Sequence, residues 1–244
     1  MSGHSKWHNI QRRKGKQDAE RGQLFTKLSR DVYSAAKEGG GNPDTNFRLK
    51  TAIDRAKQSN VPADNIARTI AKATGTLEGV TYEELLYEGY GPYGVAVMME
   101  IVTDNRNRTA ADIRYIFSKH GGNLGESGCV SWMFNRVGSM AVRKSDTNLN
   151  ADDLMMMVLE AGASDFRESE DEYVVVTEPS EFAKVRDALE AEGLTLSDSE
   201  LTYEPKTSVM LQGHAAERML DLVDSLSEHD DVQNVYANFE LEES

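Results

Sequence analysis

The chain has 244 residues, 39% hydrophobic and 28% charged, the balance of a soluble globular protein with room for two or three small domains. Its net charge is −14, and its single cysteine, Cys129, excludes an internal disulfide and suits a reducing cytoplasm. No run nears the ~18 apolar residues that span a bilayer, and the polar, basic start has no secretory apolar core, so a cytoplasmic chain is expected.

Charge is unevenly placed. Residues 1–72 carry 15 Lys and Arg against 7 Asp and Glu, a net of +8, whereas residues 73–244 carry 12 against 34, a net of −22. The cations are densest at the start, where Lys6, Arg12, Arg13, Lys14, Lys16 and Arg21 face only Asp18 and Glu20. An acidic surface repels polyanions, so a local basic segment on it reads as a phosphate contact. A solubilising tail is the alternative. Trp7, His8 and Asn9 among the cations favour the contact, since solubility alone does not call for them. Without apolar periodicity, residues 1–21 read as a flexible basic arm.

Helical spacing follows. Leu24, Phe25, Leu28, Val32, Ala35 and Ala36 predict a helix over Gly22–Glu38, stopped by Gly39-Gly40-Gly41-Asn42-Pro43. Leu49, Ala52, Ile53 and Ala56 predict a second, ending near Ser59-Asn60. Pro62 opens a third, with Ile66, Ile70 and Ala73 inward and Thr74-Gly75 closing it. Residues 22–76 form a small helical domain whose cations are expected on outward faces.

The rhythm then changes. Tyr87–Gly94 reads as a Gly- and Tyr-rich loop, followed by an apolar strand Val95–Val102, a helix Ala110–His120 and a strand Cys129–Phe134. Next come strand Gly138–Arg143, helix Asp152–Glu160, strands Asp165–Glu168 and Tyr173–Thr177, helix Ser180–Glu192 and strand Glu200–Glu204. That set is β-α-β-β-α-β, a complete ferredoxin-like unit. Strand Thr207–Leu211, helix Ala215–Glu228 and strand Val232–Leu241 close the chain. The two flanking β-α-β pieces are expected to pair into a second such unit, which makes the middle one an insertion. The fold class is α+β: a helical N-terminal domain, then two ferredoxin-like domains, one inside the other. The boundaries are 1–21 for the arm, 22–76 for the helices, 77–135 with 206–244 for the split domain, and 136–205 for the insertion.

Few constellations carry chemistry. His4 and His8 lie in an irregular start, while His120, His214, His229 and Cys129 have no partner at ligand spacing, so no metal site is expected. Ser127 and Cys129 have no His or acid at a nucleophile's spacing, and Cys129 is expected to pack as a small apolar residue. Paired acids such as Glu83-Glu84, Asp152-Asp153 and Asp230-Asp231 read as solvated faces or caps. Gly121–Gly128 follows a helix and precedes a strand, the reverse of a nucleotide fingerprint. Met155-Met156-Met157 reads as helix core with one exposed thioether. Asp104–Thr109 joins a strand to a helix, where free N–H groups and the guanidiniums of Arg106 and Arg108 suit an external phosphate or carboxylate. Capping by Asn107 or Thr109, with Arg106 paired to an acid, is the equal alternative. The tyrosines of the 87–94 loop either stack on bases or pack between domains.

At the level of motifs the chain resembles the YebC family, whose mitochondrial members activate translation. The resemblance is carried by Met1-Ser-Gly-His-Ser-Lys-Trp-His-Asn-Ile10, Arg13-Lys14, Gln17-Asp18-Ala19, Phe25-Thr-Lys-Leu28, Ala35-Ala-Lys-Glu-Gly-Gly40 and Asn60-Val-Pro-Ala-Asp-Asn-Ile66. It continues through Tyr87-Glu-Gly-Tyr-Gly-Pro92, Thr103-Asp-Asn-Arg-Asn-Arg-Thr109 and Phe117-Ser-Lys-His-Gly-Gly-Asn-Leu-Gly125. Tyr93 departs from it, standing where the resemblance implies Gly in many relatives. The resemblance implies three domains, the third inserted in the second, and no catalytic residue, metal or cofactor. It implies either a DNA-binding transcriptional regulator or a ribosome-associated translation factor that relieves stalling on proline-rich stretches.

Nothing in the chain spells a helix-turn-helix recognition element, whereas a basic arm with an aromatic suits structured RNA. The expected function is therefore a nucleic-acid-binding regulator of gene expression, most simply a ribosome-associated translation factor, with a DNA-binding transcriptional regulator as the alternative. The expected contacts are Lys6, Trp7, Arg12, Arg13, Lys14, Lys16, Arg21, Lys27, Arg106 and Arg108. The partner is ribosomal RNA or DNA, with no membrane, small-molecule substrate or cofactor, and the chain is expected to act as a monomer and not as an enzyme.

Overall fold

Helix α1 (Arg21–Gly39) repeats apolar residues on one face, and helices α2 (Phe47–Gln58) and α3 (Ala63–Ala73) supply the faces that cover it. The computed structural model describes residues 21–242. Val32, Ala35, Ala36, Leu49, Ala52, Ala56, Val61 and Ile66 form the core of this three-helix layer, with Phe25, Leu28, Ile53 and Ile70 at its margin. The α1–α2 turn depends on one side chain that periodicity does not reveal. Buried Asn46 caps α2 by accepting the Leu49 N–H at 3.1 Å, and its amide donates to the carbonyls of Ala35 at 2.7 Å and Gly40 at 2.8 Å. Donors left open at one helix start and carbonyls left open at another's end are thus satisfied together.

The described residues fall into two compact units, 133–207 and the remainder of the chain on either side of it. In the split unit, β1 (Glu83–Tyr90), β2 (Ala96–Thr103), β3 (Asn123–Leu124) and β9 (Val232–Ala237) form an antiparallel sheet in the order β3-β1-β2-β9. Helices α4 (Arg106–Lys119) and α7 (Gly213–Ser227) supply Ile113, Phe117, Met219, Leu222 and Leu226 to a core shared with Val97, Met99, Ile101 and Val235. Short strands β8 (Val209–Leu211) and β10 (Phe239–Leu241) pair in parallel as a separate ribbon.

The other unit holds β4 (Phe134–Arg143), α5 (Ala151–Ala161), β5 (Asp165–Glu168), β6 (Glu172–Thr177), α6 (Phe182–Ala191) and β7 (Asp198–Pro205). Its sheet order, β5-β6-β4-β7 with every neighbour antiparallel, is that of a ferredoxin-like split βαβ unit. Met140, Val142, Leu154, Val158, Val175, Val185 and Leu189 are fully buried.

The fold class is α+β, with helices first and sheet units after, but several local expectations fail for identifiable reasons. Residues 87–90 belong to β1, because their backbone pairs with β2 on one side and β3 on the other. The expected strand at Cys129–Phe134 is instead a turn, Ser131–Met133 forming one 3-10 turn. The N–H groups of Val130 and Ser131 go to the Glu88 carboxylate, leaving no ladder to join. Helix α4 begins at Arg106, a turn before Ala110, because Asn105 caps it by accepting the Arg108 N–H at 3.1 Å. The last strand breaks at Asn238, whose side chain accepts the Ala96 N–H at 2.6 Å, so β9 joins one sheet and β10 the ribbon. On α5 the inward residues are Leu154 and Val158, and both Met155 and Met156 are exposed.

Gly138 on β4 shows how tightly the insertion packs. A Cβ there would overlap the Phe182 ring and the Thr177 hydroxyl. Gly138→Ala should lower the unit's stability by about 1–3 kcal/mol through overpacking, read as a lower denaturant midpoint at unchanged slope.

Candidate nucleic-acid interface

Three segments meet at the end of β2. Thr103 closes the strand, Asn105 opens α4, and the turn after α7 brings in Asp231, only 3% exposed. One Asp231 carboxylate oxygen accepts the Thr109 hydroxyl at 2.6 Å and lies 3.3 Å from the Thr103 hydroxyl. The other takes the guanidinium of Arg30, from α1, at 2.6 Å. Arg30 also donates to the carbonyls of Val102 and Asp230. Burial pushes the Asp231 carboxyl up, but the hydrogen bonds from Thr109 and Arg30 and the Arg30 charge outweigh it and hold it below its ordinary value.

This geometry decides the Asp104–Thr109 motif in large part. The anion at the start of α4 is the chain's own Asp231, and the cap is Asn105 rather than Asn107 or Thr109. Arg108 turns back to Asp104 at 2.5 Å and lies 3.7 Å from Asp231. Arg106 is the more open of the two, with its Nε 3.5 Å from Glu83.

The cations of the helical domain divide into two sets. Lys27 donates to the Ser227 carbonyl at the end of α7, and burial foremost, with the nearby Arg30 charge, lowers its pKa to about 8 against the pull of Asp230 and Glu228. Lys37 donates to the Tyr82 carbonyl at 2.7 Å and sits over the Tyr33 ring. Arg48 is held between Glu38 and Glu84. With Arg30, these four hold the helices to the sheet unit, which corrects the expectation that the domain's cations face outward. Lys50, Lys57, Arg68 and Lys72 do face outward, and none has an ion-pair partner among the described residues. Of the expected contacts, Lys6, Trp7, Arg12, Arg13, Lys14 and Lys16 lie outside the described residues. Arg21 is the first residue of α1, Lys27 is engaged at Ser227, and Arg106 and Arg108 share one helix start.

A second cluster surrounds the β1 end. Glu88, 2% exposed, accepts the N–H groups of Gly128 at 2.7 Å, Val130 at 2.8 Å and Ser131 at 2.6 Å. Burial raises its carboxyl, and these three bonds more than reverse the effect. Sequence reasoning passed over Glu88, Asp231, Arg30 and Asn46, because each acts through partners remote in sequence or through backbone. The one usable signal was that the chain has a Gly-rich stretch, 121–128, whose N–H groups need acceptors. Among the described residues no group of three or more His, Cys, Asp or Glu could hold a metal ion, and no helix is long and apolar enough to cross a membrane.

Comparison with known proteins is consistent along the whole chain. Residues 5–76 match the TACO1/YebC protein N-terminal domain, and residues 82–239 match the TACO1/YebC second and third domain. The chain belongs to the TACO1/YebC family. A relative from Pelotomaculum thermopropionicum, described as a probable transcriptional regulatory protein, is 56% identical with all of both chains covered. One from Trichlorobacter lovleyi with the same description is 54% identical, over 99% of this chain and 96% of its own. The crystal structure of a conserved hypothetical protein from Aquifex aeolicus superposes with a TM-score of 0.83 at 44% identity, covering 93% of each chain. Tyr93 has a φ of 62°, a left-handed value that Gly adopts freely.

Two outcomes are expected. Asp231→Ala strands the Arg30 charge in a largely buried site and should cost about 3–5 kcal/mol in denaturant unfolding, and pairing it with Arg30→Met should cost less than the two singles summed. The Asp231 contribution is fully present above its ordinary 3.8 and is lost as pH falls through its lower folded value. In a separate measurement, NMR titration of Lys27 should give a midpoint near 8 rather than 10.5.

Proposed function

We propose that this chain regulates gene expression by binding nucleic acid, and that its target is ribosomal RNA. The observation that carries this reading is the net +8 on residues 1–72 of a chain whose remaining residues carry −22. Phosphate contact supplies most of the affinity of such proteins, and the acidic residues confine it to one end of the chain. Lys50, Lys57, Arg68 and Lys72 extend the footprint beyond the arm. The division of labour follows the proposed domains: arm 1–21 and helices 22–76 bind, while the acidic domain of 77–135 with 206–244 and its insertion 136–205 face away or toward a basic protein. Lys6, Arg12, Arg13, Lys14, Lys16 and Arg21 neutralise phosphates, Trp7 stacks or wedges, and Arg106 adds a guanidinium at the α4 start. Lys27 and Arg108 serve the interface only if binding loosens their internal contacts.

Family resemblance supports a translation factor that relieves stalling on proline-rich stretches, acting in the cytoplasm as a monomer, without cofactor or catalysis. A second reading, DNA binding at promoters, is favoured by the relatives' description as probable transcriptional regulatory proteins.

Sedimentation of lysate through a sucrose gradient separates the two. The intact chain should travel with the large ribosomal subunit, and a variant lacking residues 1–21 should stay at the top. An intact chain that stays at the top and selectively shifts a promoter fragment establishes the DNA reading. Reversing Arg12, Arg13, Lys14 and Lys16 should reduce the slope of log K against log salt by roughly 0.7–0.9 for each phosphate no longer neutralised. An unchanged slope removes the arm from the interface.

A further inference from the structure

Helix α5 is apolar on more sides than its own unit covers. Leu154 and Val158 are its buried side, yet Met156 is 61% exposed, Leu159 48% and Met155 37%. An amphipathic helix places polar residues at such positions, and a helix that is hydrophobic all round is ordinarily buried all round. Helix propensity does not account for the choice, because Glu, Gln and Lys form helices about as well as Met and Leu. Met155 and Leu159 stand one turn apart with Met156 beside them, so the three make a continuous strip. Thioether side chains are flexible and polarizable, and they serve well at surfaces that adapt to a partner.

The strip has an acidic border. Asp152 precedes Met156 by one helical turn and Glu160 follows it by one, and Asp153 also lies a turn before it. All three acids are exposed, and α5 contains no Lys or Arg. At its C-terminal end Lys184 approaches Gly162, but that ammonium is paired with Glu181 at 3.2 Å. The field is acidic over the whole unit. Residues 133–207 carry 7 Lys and Arg against 17 Asp and Glu, a net of −10, and of these cations Lys144 and Arg167 are paired with Glu168 and Glu204.

We propose that the strip formed by Met155, Met156 and Leu159 docks a basic amphipathic helix of a partner protein. Charge chooses the occupant. A second copy of the strip would set Asp152, Asp153 and Glu160 against their own counterparts, because a two-fold contact repeats the same patch on both sides. Nucleic acid and anionic lipid are repelled by the same border. A helix with apolar residues at i, i+3 and i+4, flanked by Lys or Arg, satisfies both the strip and its border and packs against α5 helix on helix. The proposal is independent of the nucleic-acid reading above, since it concerns the inserted unit and a partner of opposite charge.

NMR of the full-length chain labelled at its methionine methyls tests this directly. The probe is a synthetic peptide of Leu and Lys with its leucines on one helical face. Its addition should shift the Met155 and Met156 methyl signals and leave those of the buried Met98, Met99, Met140 and Met219 in place. A peptide of the same composition in scrambled order, with no apolar face, should bind about tenfold more weakly or worse. Replacing Met155, Met156 and Leu159 together by Ala should weaken binding by roughly 10- to 100-fold. That variant should melt no lower than wild type, since the three side chains are exposed and Ala is the best helix former. Asp152→Asn combined with Glu160→Gln should weaken binding at low salt and have little effect at high salt. Unmoved Met155 and Met156 signals overturn the proposal, and so does an Ala variant that binds like wild type, which leaves charge attraction alone. It is overturned equally by a dimer in sedimentation equilibrium that the Ala variant lacks. A peptide that binds only after residues 1–21 are deleted assigns the strip to the chain's own basic segment and overturns a separate partner.

Discussion

Asp231 is the charge on which the split unit depends. A carboxylate this buried is tolerable only with its lone pairs filled, and the groups that fill them come from α1, from the end of β2 and from the first turn of α4. Each partner is therefore placed by the same requirement. Arg30 cannot leave without stranding an anion, and Thr109 cannot leave without unsealing the helix start. Lys27 and Gln23 add contacts from the same face of α1 to the carbonyls at the end of α7. The helical layer is consequently joined to the sheet by polar bonds, whereas each of the two has its own apolar core.

That arrangement divides the basic charge of the first 72 residues between two tasks. Arg30, Lys27, Lys37 and Arg48 are committed to internal carbonyls, carboxylates and a ring. Lys50, Lys57, Arg68 and Lys72 remain on exposed helix faces. A count of charges in the sequence cannot make the distinction, because the acceptors lie some 200 residues away for Arg30 and Lys27. The net charge thus overstates the field available to a polyanion, and the surplus is concentrated in residues 1–21 and on α2 and α3.

What could be read in advance follows the range of the interactions. The three helices, the β-α-β-β-α-β insertion and the α7 helix were legible because periodicity of 3.6 or 2 is local. The β1 strand was not, since Gly89 and Tyr90 resemble a loop until β3 pairs beside them, and Gly89 is required there because a Cβ would meet the Asn123 carbonyl. The turn at 129–133 was missed because the N–H groups of Val130 and Ser131 are claimed by a side chain 42 and 43 residues earlier. The Asp104–Thr109 motif left an external anion and internal capping equally open, and what its local pattern could not supply was that the anion belongs to the chain itself. The tyrosines and arginines of the candidate site were visible as types, but which of them face solvent emerged only from burial.

The inserted unit begins and ends on neighbouring strands. Phe134 faces Pro205 across β4 and β7, and the Lys206 N–H donates to the Met133 carbonyl at 2.9 Å. The fold of this segment therefore holds residues 133 and 206 close together. The host needs contacts such as Asn238 with Ala96, 142 residues apart. Halving that effective loop saves only about 0.6 kcal/mol of closure entropy, too little to matter to final stability. Its weight falls on speed, because long-range pairings limit folding rates. The insertion acts as a clasp: once it is folded, a strand pairing distant in sequence becomes a nearer one.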